Sequence, residues 1–458
     1  EISACLVGSE MCIRDRSNYI LIFLLVGVGL WYSIRTRFVQ IRCIPEMFRL
    51  MTEGAGAKPR EGHISTFQAF CVSTASRVGV GNIAGIAIAV ATGGPGAVFW
   101  MWVIATIGAA SGFVESTLAQ IYKAPRKGGG FVGGPAYYIG NVIGSSFFAS
   151  VFAVLLAVTY GLIFNSVQAN TISLSMQTSF GFDTQMTGLA IAGFTALVIF
   201  GGLTRIAKVV GVMVPVMAGA YILVALAVTA LNITMVPEVL VTIVRCAFDF
   251  DAVLGAGFGM ALMTGIKRGL FSNEAGMGST PHAHAVARVE HPAEQGLVAM
   301  FGVFTTVVIV TFTGIVILVT GVLDFKTTGI ELTQHAYTVG LGSFGMAFVA
   351  VCLFFFAFST IMGWYFFGEQ NVRFLFRSRG VLAYRVIVCA FIVTGAMLKV
   401  DFVWSLADLF NGLMVLPNLV ALVALHKVVG ESLEDFEKKL DHYEERKSEN
   451  IDDRMQRL

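Results

Sequence analysis

Gly79-Val80-Gly81-Asn82-Ile83-Ala84-Gly85 and Lys267-Arg268-Gly269-Leu270-Phe271-Ser272-Asn273-Glu274-Ala275-Gly276 interrupt two hydrophobic segments at mid-length with glycine and polar residues. Such interruptions are costly in a bilayer. Each backbone N–H or C=O left unpaired in hydrocarbon costs several kcal/mol, so irregular backbone survives there only when buried in protein or lining a cavity. Two interruptions in corresponding positions are the sequence signature of a transporter's binding site.

Composition places the whole chain in the membrane. Hydrophobic residues make up 56% of it and charged residues 13%, with a mean hydropathy of +0.77; a soluble domain carries about 25% charge. Apolar runs of about 20 residues predict eleven spans: 18–35, 66–93, 97–122, 147–176, 187–203, 208–231, 252–287 with its break, 295–322, 344–371, 381–398 and 403–426. Short cytoplasmic loops hold the excess of Lys and Arg. Arg35, Arg37, Arg42, Arg49, Lys58 and Arg60 follow the first span, Lys123, Arg126 and Lys127 the third, Arg205 and Lys208 the fifth. Arg288, then Arg373, Arg377 and Arg379, then the charged tail fall on the same side, whereas the opposite loops hold little beyond Arg245, Lys326 and Lys399. The expectation is a multi-pass plasma-membrane protein, in a bacterium the inner membrane, with its N-terminus outside and its C-terminus cytoplasmic.

Residues 1–17 begin without Met and lack both an apolar h-region and a small-residue cleavage signal, so they read as a non-native leader. Residues 18–65 read as an extra helix and a cytoplasmic loop, and 428–458 as a charged cytoplasmic tail, either a solvated helix or disordered. The seven cysteines are odd in number, scattered and free of any CxxC pair, which argues for neither a disulfide framework nor a zinc site. The ten spans after the first divide into two fives, 66–231 and 252–427, each opening with a broken helix. An odd number of spans per repeat inverts the second copy, so the two breaks meet near the bilayer midplane. The fold class expected is thus all-α and polytopic, about eleven helices: one extra helix plus a five-plus-five inverted repeat whose first and sixth core helices are broken. Half-helix N-termini favour an anion and half-helix C-terminal carbonyls a cation, so one site can hold a carboxylate beside Na⁺.

The residues at the breaks carry a family resemblance. Arg77-Val78-Gly79-Val80-Gly81-Asn82-Ile83-Ala84-Gly85, Gly93-Gly94-Pro95-Gly96-Ala97-Val98-Phe99-Trp100-Met101-Trp102, Phe164-Asn165-Ser166-Val167-Gln168-Ala169-Asn170, Gly269-Leu270-Phe271-Ser272-Asn273-Glu274-Ala275-Gly276 and Gly363-Trp364-Tyr365 resemble the alanine or glycine:cation symporter family over about residues 18–430. That family has the inverted-repeat fold of the sodium-coupled neurotransmitter transporters. The resemblance implies sodium-coupled symport of a small neutral amino acid (alanine, glycine or serine) into the cell by alternating access, with Na⁺ as coupling ion. It implies no organic cofactor, no nucleic acid and no enzymatic step, and a monomer is the expected assembly. A proton-coupled transporter of the same fold, or a sodium-coupled carrier of a larger amino acid such as glutamine, is the alternative.

The resemblance assigns the backbone at Gly79 and Gly81 and the Asn82 amide to the substrate carboxylate or a sodium ion. Glycine lets backbone approach, and the amide offers a neutral oxygen or N–H. The same stretch also matches the nucleotide pattern GxGxxA and the packing pattern GxxxG. No strand-turn-helix unit with a later acidic residue surrounds it, and packing does not require Asn82. Asn165, Gln168 and Thr171 recur at i, i+3 spacing, and the resemblance puts Gln168 at the substrate. Thr360 and Trp364 share a helical face and are expected to look onto the first break. Phe271 and Trp364 read as walls around the ligand's side chain. For sodium, the resemblance implies the carbonyls of Ala75 and Val78 with the hydroxyls of Ser359 and Thr360.

Arg77, Lys267, Arg268, Glu115, Glu274 and Glu369 lie in or near spans, where charge is usually paired or functional. Arg77 is expected to snorkel or pair towards the cytoplasm, and Lys267 or Arg268 to form a gate with Glu274. His282 and His284, two residues apart, point about 200 degrees apart on a helix, which is poor geometry for a shared metal. An intramembrane enzyme needs a nucleophile with its base or a metal set such as H-E-x-x-H, and a channel a continuous polar pore; the chain offers neither.

Overall fold

The computed structural model describes residues 22–56, 64–126, 130–249 and 257–455; the leader proposed for 1–17 lies outside these. Among the described residues, six helices are long and apolar enough to cross a membrane by themselves: α6 (Gly96–Ile121), α8 (Ser146–Val158) running through a π turn into α9 (Asn165–Phe180), α11 (Gly202–Leu231), α15 (Pro292–Val319), α17 (Ser343–Phe376) and α19 (Val400–Ala424). A seventh span is the pair α4 (Thr66–Arg77) and α5 (Ile86–Gly93) with the π turn Gly81–Gly85 between them, bent by 49°. Shorter apolar helices are α1 (Ile22–Arg35), α10 (Thr184–Ile199) and α18 (Val381–Met397). The fold is that of a polytopic helical membrane protein.

Among the described residues, hydropathy alone did not foresee short helices joining these spans: α2 (Val39–Arg42), α3 (Ile44–Gly56), α7 (Pro135–Ile143), α12 (Val236–Ala247) and α16 (Gly329–Leu341). α12 turns Val239, Ile243 and Cys246 inward and leaves Leu240, Val241 and Val244 exposed. The tail departs from a fully solvated helix. It forms α20 (His426–Met455), whose Val429, Leu433 and Phe436, spaced one helical turn apart, are buried; Arg42 anchors it through Glu437 at 2.5 Å.

The first break stands where the sequence puts it. Ser65 caps α4, accepting from the Gln68 N–H at 3.1 Å while Gln68 returns the bond; the helix stops at Arg77, and Val78 leaves helical geometry. The second break is displaced from the expected stretch. α13 (Phe258–Asn273) runs unbroken through Lys267 and Arg268, and unwinding starts at Glu274 (φ 53°), continuing through Gly276 (φ 80°) and Gly278 (φ 79°) to the short helix α14 (Pro281–Ala285). The charged residues and Gly269 interrupt hydropathy but not the helix, because Gly269 is pressed against Met101 and Ile104 of α6. α4 packs among α11, α15 and α17, and α13 between α5 and α6, which brings the two breaks together in the core.

Candidate substrate and cation site

Helical geometry is interrupted at Val78 and Gly79 before the buried π turn begins at Gly81, and three side chains close on this bend. The Val80 N–H donates to Gln168 Oε1 at 3.3 Å. A Cβ on Gly79 would stand 2.5 Å from Thr360 Oγ1 and 3.1 Å from Gln168 Oε1; one on Gly81 would meet the Phe271 ring at 3.0 Å. Close approach thus favours glycine strongly at position 79 and less tightly at position 81. Asn82 Oδ1 accepts from Ser272 Oγ at 2.8 Å, joining the first broken helix to α13. Gly79, Gly81, Asn82, Gln168, Phe271 and Thr360, singled out in the sequence, therefore converge. Ser272, which joins them, was missed although it lies inside the quoted motif.

Asn82 and Gln168 are fully buried, yet Asn82 Nδ2 and Gln168 Nε2 have no hydrogen-bond partner. Leaving a buried donor unsatisfied costs about 1–3 kcal/mol. Both donors flank the opened backbone, where an acceptor such as a carboxylate would satisfy them. The other donors of the polar row on α9 bond within their own helix, Asn165 Nδ2 to Gly161 O at 3.0 Å and Thr171 Oγ1 to Val167 O at 3.0 Å, while Asn165 Oδ1 is left without a partner.

Trp364 deviates from its expected orientation towards the first break. One turn beyond Thr360, its indole N–H reaches Glu274 Oε1 at 2.5 Å, at the second break. Its ring packs against Phe164 (centroids 5.1 Å) and Tyr160 (5.6 Å), and Phe271 stands 6.1 Å away. Phe164 and Phe271 are 5.1 Å apart, so Phe164 completes an aromatic wall with the two predicted members.

Three neutral oxygens surround the Thr360 hydroxyl: Ala75 O at 2.7 Å, Phe356 O at 2.9 Å and Val78 O at 3.3 Å. The C-terminal end of α4 supplies two of them. Ser359 differs, donating to Phe356 O at 2.8 Å in its own helix, with Met217 Sδ 3.7 Å away. Of the four residues expected around sodium, Ala75, Val78 and Thr360 are in mutual contact, while the Ser359 hydroxyl is engaged with its own helix.

The buried charges also pair differently from expectation. Arg77 does not snorkel; it is 1% exposed, donating to Ala299 O at 2.7 Å and to Thr280 Oγ1 at 2.9 Å. Its guanidinium fills the space that Gly302 leaves open in α15. Glu274 makes no bond to Lys267 or Arg268. It accepts from Ser279 Oγ at 2.7 Å, Ser76 Oγ at 3.2 Å and Trp364. Arg268 turns away to Asp408 at 3.4 Å, its guanidinium 4.8 Å over the Trp404 ring. Glu115 accepts from the N–H groups of Gly276 (3.3 Å) and Gly278 (3.0 Å) and from Asn418 (3.2 Å), holding the unwound loop. Glu369 binds Arg373 at 2.6 Å. His282 lies between Ser279 O (2.7 Å) and Asn371 (2.8 Å), and His284 between Gln295 (2.9 Å) and Ser73 (3.0 Å), so the two rings have separate partners.

A membrane-spanning bundle with two unwound segments meeting around buried amides, carbonyls and aromatic rings is a transporter's architecture. The family model described as the sodium:alanine symporter family matches residues 10–450, and the chain belongs to that family. It is an amino-acid symporter of the membrane and not an enzyme. Among relatives, it is 48% identical over 420 residues to the probable sodium/glutamine symporter GlnT of Bacillus subtilis, covering 91% of this chain and 87% of that one. It is 39% identical over 423 residues to the sodium/alanine symporter AgcS of Methanococcus maripaludis, covering 89% and 92%. A Na⁺-coupled sialic acid symporter, solved in a substrate-bound outward-open state, shares the fold with a TM-score of 0.50 at 12% identity, over 89% of this chain and 85% of that one.

Proposed function

We propose that this protein carries a small neutral amino acid (alanine, glycine or serine) into the cell together with Na⁺, by alternating access. The observation that carries the reading is the pair of orphan amide donors, Asn82 Nδ2 and Gln168 Nε2, beside the Gly79–Gly81 backbone. The substrate carboxylate takes these donors, and its side chain lies against Phe271 and Trp364. Sodium takes the carbonyls of Ala75 and Val78 with the hydroxyl of Thr360, and Ser359 joins after a rotation of its hydroxyl. Such a cation ties α4 to α17. It couples to transport only through unequal affinity for the outward- and inward-open states.

In this reading α1, the α4–α5 pair, α6, α8–α9, α10, α11, α13–α14, α15, α17, α18 and α19 are eleven spans, the last ten forming inverted repeats over 66–231 and 252–427. The N-terminus is outside, and α20 lies on the cytoplasmic face of the plasma membrane.

A larger substrate is the second reading, favoured by the 48% identity to a relative named for glutamine against 39% to one named for alanine. The aromatic wall weighs against it, because the three rings Phe164, Phe271 and Trp364 stand within 5.1–6.1 Å of one another. One methylene against such walls is worth about 1–3 kcal/mol. The test is radiolabelled alanine uptake into proteoliposomes under an inward sodium gradient, beside choline vesicles and the Asn82→Ala protein, with glutamine as competitor. Sodium-dependent uptake that collapses in Asn82→Ala is expected. Uptake indifferent to sodium moves the coupling ion to the proton, and glutamine competing better than alanine moves the substrate.

A further inference from the structure

Where α1 ends, a pocket of about 330 Å³ opens between that corner and the start of α20. The exposed row of α1, Phe23, Leu24, Leu30 and Ile34, is apolar as far as Ile34, and the next residue is the charged Arg35. Beside it Trp31 stands edge-on to His426 with ring centroids 5.3 Å apart, and Tyr32 donates its hydroxyl to Leu422 O. Tryptophan and tyrosine collect at the level of lipid headgroups, so the pocket lies where hydrocarbon meets water. Beyond it the chain through α2 and α3 keeps Phe38, Ile41, Ile44 and Phe48 exposed among Arg37, Arg42 and Arg49, the pattern of a segment lying in the interface.

Both walls of the pocket carry unused charge. Arg35 and Arg37 stand on the α1 side, Glu431 and Glu434 on α20, and Lys427 one turn before Glu431. Arg42 and Glu437, which also line it, pair at 2.5 Å. Among the described residues none of the other five forms an ion pair; Arg35 faces the Trp31 ring, 5.9 Å from its centroid. The turn that sets Arg37 beside Arg35 holds two consecutive left-handed residues, Arg37 (φ 52°) and Phe38 (φ 55°), a strained conformation for side chains other than glycine. Opposite charges that line one pocket without meeting suit a ligand that carries both signs. An anionic headgroup satisfies Arg35 and Arg37 but sets its charge against Glu431 and Glu434, whereas a phosphate linked to an ammonium group satisfies both walls.

We propose that this pocket binds the headgroup of a zwitterionic phospholipid with a primary ammonium, phosphatidylethanolamine, its phosphate on Arg35, Arg37 and Lys427 and its ammonium on Glu431 and Glu434. The bound lipid bridges α1 and α20, which Arg42 and Glu437 already join. In the orientation proposed above it belongs to the cytoplasmic leaflet, and the bridge is independent of which amino acid or ion is carried.

Native mass spectrometry of the purified, delipidated full chain tests it, with phosphatidylethanolamine, phosphatidylglycerol and phosphatidylcholine of the same acyl chains, and O-phosphoethanolamine, added in turn. The proteins are wild type, Arg35→Gln/Arg37→Gln, Glu431→Gln/Glu434→Gln, and Lys326→Gln in the loop after α15 as a charge control. All five changed side chains are exposed, and a lipid-free thermal midpoint equal to that of wild type reports an intact fold. Wild type and Lys326→Gln are expected to retain phosphatidylethanolamine in preference to the other two lipids. The arginine pair should hold it about 10-fold more weakly; the glutamate pair should also lose it and come to prefer the anionic phosphatidylglycerol. Wild type that prefers phosphatidylglycerol, or holds phosphatidylcholine as well as phosphatidylethanolamine, overturns the proposal, as does retention that neither double change moves. O-phosphoethanolamine bound as tightly as the lipid overturns the membrane as the source of the ligand.

Discussion

At Gly79 a hydrogen atom is all that separates backbone from the Thr360 hydroxyl. A methyl placed there would sit 2.5 Å from Oγ1 and 3.1 Å from Gln168 Oε1, and overpacking of this kind costs about 1–3 kcal/mol. Gly79→Ala should therefore lower uptake about 10- to 100-fold, whereas Gly211→Ala in α11, where an added Cβ meets nothing within 4 Å, should leave it unchanged. Thr360 allows the ion and the substrate to be separated. Thr360→Val keeps the shape but removes the oxygen that sits among the Ala75, Val78 and Phe356 carbonyls. An interaction with a charged group is worth about 1.5–3 kcal/mol. The sodium concentration for half-maximal uptake should rise 10-fold or more in Thr360→Val, with Thr360→Ser restoring it; an unchanged sodium dependence would remove Thr360 from the cation site.

Three elements meet at Arg77, and its environment shows why some of this site is invisible in sequence. The residue ends α4, donates to the backbone of α15 at Ala299 and to Thr280 beside α14. Its partners lie more than 200 residues away, so a charge flanking a break reads as a snorkelling side chain until the fold supplies Gly302 opposite it. The glycine and asparagine of the first break were legible because both hydropathy and helix stop there. At the second break they part company: Lys267, Arg268 and Gly269 stop the hydropathy, whereas the helix stops only where Glu274, Gly276 and Gly278 take positive φ. α12 escaped because its 12 residues are too few for a span, and the buried face of α20 because the stripe Val429, Leu433 and Phe436 is too narrow to raise mean hydropathy. Removing the guanidinium leaves its two buried acceptors unpaired, at about 1–3 kcal/mol each. Arg77→Gln should accordingly lower the thermal midpoint of the detergent-solubilised protein strongly, and Arg77→Lys should recover only part of it, since an ammonium cannot reach Ala299 O and Thr280 Oγ1 as a fork.

For the molecule as a whole, hydrogen bonds sort the loops between two ends. Lys123, after α6, donates to Ala287 O at 3.1 Å, and Arg288 donates through its backbone to Ile64 O at 3.4 Å, so the loops before α4, after α6 and after α14 share one end. Arg42 joins α20 to the loop after α1. Towards the other end Asn170, in the second half of the α8–α9 span, donates to Leu398 O at 2.7 Å, after α18. In the orientation proposed above, the excess of Lys and Arg assigns the first end to the cytoplasm. The consequence is directional. In a background with the native cysteines replaced, Lys326→Cys, in the loop after α15, should react with a membrane-impermeant maleimide added to intact cells. Lys439→Cys, whose native side chain is 61% exposed on α20, should react only after permeabilisation. Labelling of Lys439→Cys in intact cells would invert the proposed orientation of the protein in the membrane.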